Sequence, residues 1–175
     1  MKNLTQVSVP FDLAKLKPVI NTEAFDLHYN GVYKSHVDAF NKNEGDSAFN
    51  KAGAFLHDLY FENVREFRQN NMPSGKAEQV INMRYGSFER FFNTIEEQVA
   101  RLQGNGWVFM NTAGYVNIIP NNRIVDNVAL IIDCWEHAYI PTFGIERNKY
   151  VKAHMSIINW DIVNKRILNP KKEEE

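Results

Sequence analysis

The chain has 175 residues, of which 44% are hydrophobic and 23% charged, a balance typical of a folded globular protein that argues against disorder. Its net charge of −1 provides no overall attraction to nucleic acid or to an anionic membrane, so we expect neither as a partner. Cys134 is the only cysteine, which excludes an intramolecular disulfide, and no run approaches the ~18 apolar residues of a membrane span. Because the first residues lack the apolar core of a signal peptide, we expect the cytoplasm as the compartment.

The first half of the chain has the apolar spacing and the start and stop signals of helices. Four helices are predicted there, from Asn21 or Thr22 to about Phe40, from Ser47 to Gln69, from Lys76 to Arg84 and from Phe88 to Leu102. Polar and glycine-containing segments separate them, which predicts turns between packed helices.

The second half begins with short runs that are rich in β-branched and aromatic residues and separated by turn residues. These runs predict three strands, Trp107 to Thr112, Tyr115 to Ile119 and Val125 to Asp133. Successive strands with short connections favour an antiparallel sheet. A last helix is predicted from Arg147 to Lys165, and the charged tail 169–175 is expected to fray. Helices followed by a small sheet and further helices indicate an α+β fold.

Three histidines and one aspartate stand out as candidate metal ligands. His28 is predicted on the first helix and His57 on the second, and the two meet at one level if the helices form an antiparallel hairpin. Asp133 ends an apolar strand, and His137 follows one turn later. Taken singly, each histidine is more often a core or polar residue, and Asp133 with His137 could be an ion pair in a turn.

The strings around these residues resemble the iron/manganese superoxide dismutase family. The most diagnostic string is Asp-Cys-Trp-Glu-His-Ala-Tyr at 133–139. Further matching strings lie at 9–11, 16–23, 27–29, 49–50, 56–63, 85–91, 104–109, 146–151 and 159–161. The resemblance therefore runs from about Val9 to Val163.

The resemblance implies an N-terminal helical hairpin domain, residues 1–75, packed on a C-terminal α+β domain, residues 76–175, with the metal between them. It implies one iron or manganese ion per subunit, held by His28, His57, Asp133 and His137 together with a bound solvent molecule. The implied reaction is the disproportionation of superoxide to oxygen and hydrogen peroxide, with the metal alternating between trivalent and divalent states. Imidazole and carboxylate ligands suit both metals.

Several positions near the ligands depart from the family pattern. His36 stands where the family has a tyrosine, and we interpret it as a gate and proton relay, or else as a partly exposed polar residue at the pocket mouth. Val32 and Ile140 replace a histidine and a tyrosine that contact each other across two subunits. Losing both polar partners together can be nearly neutral for stability, but it makes the pocket rim more apolar.

The family's glutamine, which contacts the metal-bound solvent, is absent from both of its usual places. Gly53 occupies the place used by iron-type members, which resembles the manganese type. The stretch 119–123, where manganese-type members supply the residue, offers Asn122 or Asn121 instead. Either asparagine could be a shorter substitute that acts through water, and each could equally be an ordinary turn residue.

Three further residues complete the predicted site. Trp107 resembles part of the aromatic wall around the metal, although core packing would also explain it. Glu136 resembles the residue that reaches the partner subunit's copy of His137, which implies a homodimer formed through this region. Arg147 could add positive potential near the channel, or pair with Glu146 or Asp161. The leading function is a superoxide dismutase, and the alternative is a metal-binding relative with little dismutase activity.

Overall fold

The computed structural model of the chain describes residues 3–169, so most of the charged tail lies outside the described residues. The α-helices are α1 Thr22–Asp26, α2 Lys34–Lys42, α3 Ser47–Glu62, α4 Gly75–Tyr85, α5 Phe88–Arg101, α6 Glu136–Phe143, α7 Arg147–His154 and α8 Trp160–Leu168. A π-helical turn, Leu27–Tyr33, joins α1 to α2, and short 3-10 turns lie at Leu13–Leu16 and Met155–Ile157. The strands are β1 Gly106–Asn111, β2 Val116–Pro120 and β3 Val128–Asp133.

The first two predicted helices form the expected hairpin. The Asn21 side chain accepts a hydrogen bond from the Ala24 N–H and begins α1, which continues through the π-helical turn into α2. Asn43 ends α2 in the left-handed conformation with φ of 56°. The Asp46 side chain then caps α3, so that α3 packs back along α2.

The three strands form one antiparallel sheet in the order β2-β1-β3, as predicted. Alternate side chains of β1 point to opposite faces of the sheet. Val108 and Met110 enter a core with α4, α5 and α8, whereas Trp107 and Phe109 enter a core with α1 and α3. The predicted α+β fold class is therefore confirmed, while the division at residue 75 stays a prediction.

Two helix predictions were wrong in length, and one pairing explains both. The second helix ends at Glu62 instead of Gln69, and the predicted last helix is interrupted between His154 and Trp160. Val64 forms an antiparallel bridge with Ile158. The backbone groups of these two segments bond to each other across the molecule, which is incompatible with a continuous helix in either segment.

The third strand is also shorter than predicted, because it begins at Val128 instead of Val125. Asn127, immediately before it, has φ of 60°, a left-handed conformation that interrupts extended structure. The pairing of β1 with β3 shifts register between Met110 and Asn111 at the same end of the sheet. The strand nevertheless ends at Asp133, which delivers this carboxylate to the interior.

Candidate metal centre

Four polar side chains from separate parts of the chain converge where the helical hairpin meets the sheet. His28 is on the π-helical turn, His57 on α3, Asp133 at the end of β3 and His137 on α6. One potential donor atom from each lies within 4.8 Å of the others. These are the four candidate ligands taken from the sequence, and the structure brings all four together.

Asp133 occupies the middle of this cluster. Its Oδ1 accepts a hydrogen bond from the backbone N–H of Trp135 at 2.8 Å. Its Oδ2 lies 3.0 Å from Nε2 of both His28 and His137, and 3.7 Å from Nε2 of His57. Burial alone would raise the pKa of the Asp133 carboxyl, but the neighbouring histidines hold this pKa well below its usual range. Asp133 is therefore an anion with one oxygen directed at three imidazoles.

The two most deeply buried imidazoles of the cluster direct Nε2 toward its centre. His57 Nδ1 donates to the Gly53 carbonyl at 2.7 Å, which leaves the lone pair on Nε2. Nε2 of His57 is buried without a hydrogen-bond partner, an arrangement that costs about 1–3 kcal/mol. Nε2 of His28 is equally buried, and the Asp133 carboxylate lies 3.0 Å from it. Burial lowers the pKa of His28, and it lowers the pKa of His57 well below the usual value. Both rings are therefore neutral at pH 7, as metal binding requires.

This donor set fits an iron or manganese ion. Three imidazole nitrogens and one carboxylate oxygen are ligands that these metals accept. A cation placed among them would use the buried Nε2 atoms of His28 and His57 and offset the buried charge of Asp133. Four protein ligands also leave a position at which a small molecule can approach the ion.

The π-helical turn Leu27–Tyr33 was not foreseen from the sequence. Its hydrogen bonds span five residues instead of four, so it rotates the helix on either side of it. His28 and His36 still both face α3, with ring centroids 5.1 Å and 5.5 Å from that of His57. Val32, halfway between them in sequence, is partly exposed.

Aromatic rings enclose the cluster on several sides. They are Tyr33, Tyr60, Phe61, Trp107 and Trp135, whose ring centroids lie 4.9–5.9 Å from an imidazole of the cluster. Trp107 is fully buried and meets His57 edge to face. Tyr33 received no role in the sequence analysis, yet it stacks on His57 and donates a hydrogen bond to Asp58.

Asn122 lies beside the aromatic wall, whereas Asn121 belongs to a turn. Asn122 Oδ1 accepts a hydrogen bond from Trp107 Nε1 at 3.1 Å, and Asn122 Nδ2 is buried without a protein partner. Asn121 has φ of 60°, as expected of an asparagine in a tight turn. Of the two candidates for the missing glutamine, Asn122 therefore has the buried amide and the aromatic partner.

His36 lies at the edge of the site and is half-buried. Its Nδ1 lies 3.1 Å from Oδ1 of Asn50, a residue of α3 that the sequence analysis did not single out. Burial lowers the pKa of His36, opposed by the hydrogen bond to Asn50. The sequence did not predict that these two side chains would meet, because they come from different helices.

Glu136 and Arg147 occupy different surroundings. Glu136 is exposed and directly precedes His137 on α6. The Arg147 guanidinium donates to three backbone carbonyl oxygens, those of Val99, Leu102 and Gly104. Arg147 therefore binds the end of α5, instead of pairing with Glu146 or Asp161.

Comparisons with known proteins agree with this site. A sequence profile described as iron/manganese superoxide dismutases, C-terminal domain, matches residues 73–166. The chain is 33% identical to a superoxide dismutase [Mn/Fe] of Porphyromonas gingivalis, over 91% of this chain and 97% of the relative. It is 30% identical to a superoxide dismutase [Fe] of Saccharolobus solfataricus, over 91% and 90%. A superoxide dismutase [Fe] of Sulfolobus acidocaldarius is 29% identical over the same shares.

Among the helices of residues 3–169, none is both long enough and apolar enough to cross a bilayer.

The profile match, the similarity over nine-tenths of the chain and the converging histidines and aspartate lead to one assignment. The chain belongs to the iron/manganese superoxide dismutase family.

Proposed function

We propose that the protein is a superoxide dismutase, which converts two superoxide anions and two protons into one oxygen and one hydrogen peroxide. His28, His57, Asp133 and His137 would hold one iron or manganese ion per subunit. The observation that carries this proposal is the convergence of these four donors within 4.8 Å in a chain of this family.

When bound, the ion supplies one-electron redox chemistry by alternating between its trivalent and divalent states. The chain's own residues hold the ion and control what reaches it. Asp133 brings a buried negative charge, which favours a higher positive charge at the centre of the cluster. The surrounding rings, among them Trp107 and Tyr60, exclude bulk water and so strengthen these electrostatic interactions.

The reaction consumes protons, which must cross the aromatic wall. His36 is the imidazole at the edge of the site, with its ring 5.5 Å from that of His57. An imidazole can accept a proton on one nitrogen and release it again near neutral pH. We assign His36 to this relay.

Asn122 would supply the hydrogen bond that the family obtains from glutamine. Trp107 Nε1 donates to Oδ1 and fixes the amide, so the donor atom Nδ2 faces away from that bond. Because Nδ2 is buried without a protein partner, it can donate to a solvent molecule held in the site.

We also propose that a second copy of the chain packs against the Glu136/His137 region. Glu136 is exposed beside His137, and Ile140 on the same helix is 46% exposed. A homodimer would cover this apolar side chain and give the Glu136 carboxylate a partner.

The Arg147 guanidinium donates hydrogen bonds to uncharged carbonyls, and we assign this residue to the positive potential that attracts superoxide.

A metal-binding relative with little dismutase activity is the second candidate. The apolar residues Val32 and Ile140 and the short amide of Asn122 favour it, because each weakens the polar surroundings that proton delivery needs. The two candidates predict equal metal binding and differ in the rate per bound metal atom.

His57→Ala tests the proposed ligands. We expect the variant to lose at least about tenfold in metal affinity, and to lose dismutation in proportion, because a ligand is removed. Bound metal is measured on the purified protein by elemental analysis, together with superoxide consumption.

His154→Leu is the matched control, since His154 is a fully buried histidine outside the cluster. It should keep both metal and activity. Full metal content in His57→Ala would refute the ligand assignment, and equal metal loss in both variants would indicate misfolding instead.

A further inference from the structure

The ring of His36 occupies the space in which a side chain at position 53 would lie. A Cβ atom built on Gly53 would meet three atoms of the His36 ring at 2.7–2.8 Å, closer than real Cβ contacts. The Gly53 carbonyl also accepts a hydrogen bond from His57 Nδ1, so this turn of α3 is fixed in place. Gly53 therefore provides the room that allows the His36 ring to approach α3.

Asn50, one turn earlier on α3, holds the other side of the ring. Its Nδ2 donates to the backbone carbonyl of Glu44 at 3.0 Å. A backbone carbonyl can only accept, so this bond fixes which end of the amide is NH₂ and which is oxygen. The oxygen, Oδ1, is then the atom that lies 3.1 Å from His36 Nδ1.

An amide oxygen can only accept a hydrogen bond, which requires a hydrogen on the facing ring nitrogen. We propose that Asn50 is a positioning residue that fixes His36 as the Nδ1–H tautomer, with its lone pair on Nε2, and that Gly53 makes this placement possible. The catalytic meaning of this tautomer rests on the proposed function.

The fixed tautomer decides which nitrogen can serve in proton transfer. With Nδ1–H engaged by Asn50, only Nε2 is free to accept a hydrogen bond or a proton from solvent. Proton uptake and release then use the same atom, Nε2, while the bond to Asn50 stays intact. Phe49, whose ring lies 5.3 Å from that of His36, packs edge on and restricts rotation of the imidazole.

The tautomer can be read directly by nitrogen NMR of the full chain labelled with ¹⁵N-histidine. The protein is loaded with Zn²⁺, a diamagnetic ion, so that nuclei near the metal remain observable. In the wild type we expect Nδ1–H to exceed Nε2–H by roughly tenfold, as a hydrogen bond of ordinary strength would produce. A predominance of Nε2–H would overturn the proposal.

Variants at position 50 separate the hydrogen bond from general packing. Asn50→Leu removes the acceptor and should bring the two tautomers to within about threefold of each other, since the bond that selects one is lost. Asn50→Asp keeps an acceptor oxygen and should restore the Nδ1–H form. An unchanged tautomer ratio in Asn50→Leu would contradict the assignment.

Asn41→Leu is the matched control, because Asn41 is on the same helix as His36 and its amide also bonds twice, to the backbone of Leu4. It should leave the His36 tautomer unchanged.

Gly53→Ala should displace the His36 ring and change its nitrogen signals, and unchanged signals would refute the role of Gly53. These signals do not depend on turnover, so an inactive protein with the Nδ1–H tautomer would refute the proposed function alone.

Discussion

At the level of single residues, the contact between Trp107 and Asn122 is the part of the site most open to test. Trp107→Phe keeps the aromatic wall but removes the N–H that fixes Asn122. We expect metal content to stay constant and the rate per metal atom to fall about tenfold, as for other residues that orient groups around a metal. Elemental analysis and superoxide consumption measure both quantities.

Trp160→Phe is the control for this substitution, since Trp160 Nε1 donates to the Asn71 carbonyl away from the cluster. It should leave the rate per metal atom unchanged. A Trp107→Phe protein as active as the wild type would show that Asn122 needs no fixed orientation.

His154 is a buried residue whose titration should be visible in stability. Burial lowers the pKa of His154 to about 3 in the folded protein, whereas an unfolded histidine has a pKa of about 6.5. Below pH 6.5 the unfolded chain therefore binds a proton that the folded chain excludes. Above pH 6.5 His154 therefore causes no pH dependence in the free energy of unfolding. As the pH drops from 6.5 toward 3, this free energy falls by about 1.4 kcal/mol per pH unit.

His154→Leu should remove this contribution. Denaturant unfolding between pH 7 and pH 4 should show a shallower loss of stability in the variant than in the wild type. The variant should also gain stability at pH 7, because both His154 nitrogens are buried without hydrogen bonds. Parallel pH curves for the two proteins would contradict this account.

At the level of elements, the start of α3 matters because this helix carries Gly53 and His57. Asp46 Oδ1 accepts a hydrogen bond from the Phe49 N–H at 2.9 Å. Asp46→Ala should lower the free energy of unfolding by about 1 kcal/mol, as expected for loss of a helix cap. Asp46→Asn retains the acceptor and should cost much less, with urea unfolding at equal metal content as the measurement.

Capping and helix-breaking residues in the sequence correctly predicted where some helices begin. The cap at Asn21 and the break before Ser47 are local, and the helices begin there. The end of α3 at Glu62 depends on the bridge between Val64 and Ile158, which lie far apart in sequence. Neither segment contains a proline or glycine that would have indicated the interruption.

At the level of the whole molecule, Arg166 links the hairpin, the sheet and the last helix. It is 3% exposed and donates to the carbonyls of Ala129 and Leu59 and to the Glu62 carboxylate. Arg166→Met keeps an unbranched apolar stem, shorter than arginine, and removes these bonds. We expect a loss of about 3 kcal/mol in the free energy of unfolding, measured by urea titration.

Arg65→Met is the comparison for this prediction. The carboxylate nearest to Arg65 is that of Asp161, which is 82% exposed and 3.9 Å away. Such a pair contributes at most about 1 kcal/mol, so this variant should be close to the wild type. Equal losses in the two variants would show that Arg166 has no special part in joining the elements.

The candidate ligands were predictable because each lies in a recognisable string, such as Asp133 with His137 four residues later. Their surroundings were less accessible. Asn50 and Gly53 act on His36 from α3, and the π-helical turn sets the rotation of α2, which carries His36. These contacts depend on the packing angle between the two helices, which cannot be inferred from the residue spacing within either helix.

Superoxide disproportionation at this site, as proposed, can be measured on the purified protein. The most direct measurement is the rate of superoxide consumption per bound metal atom, on protein purified from cells supplied with both iron and manganese, with each metal quantified. We predict a stoichiometric ion and a rate far above that of the same free aquo-ion. A stoichiometric ion with a rate no higher than that of the aquo-ion would contradict the account and identify a metal-binding relative instead.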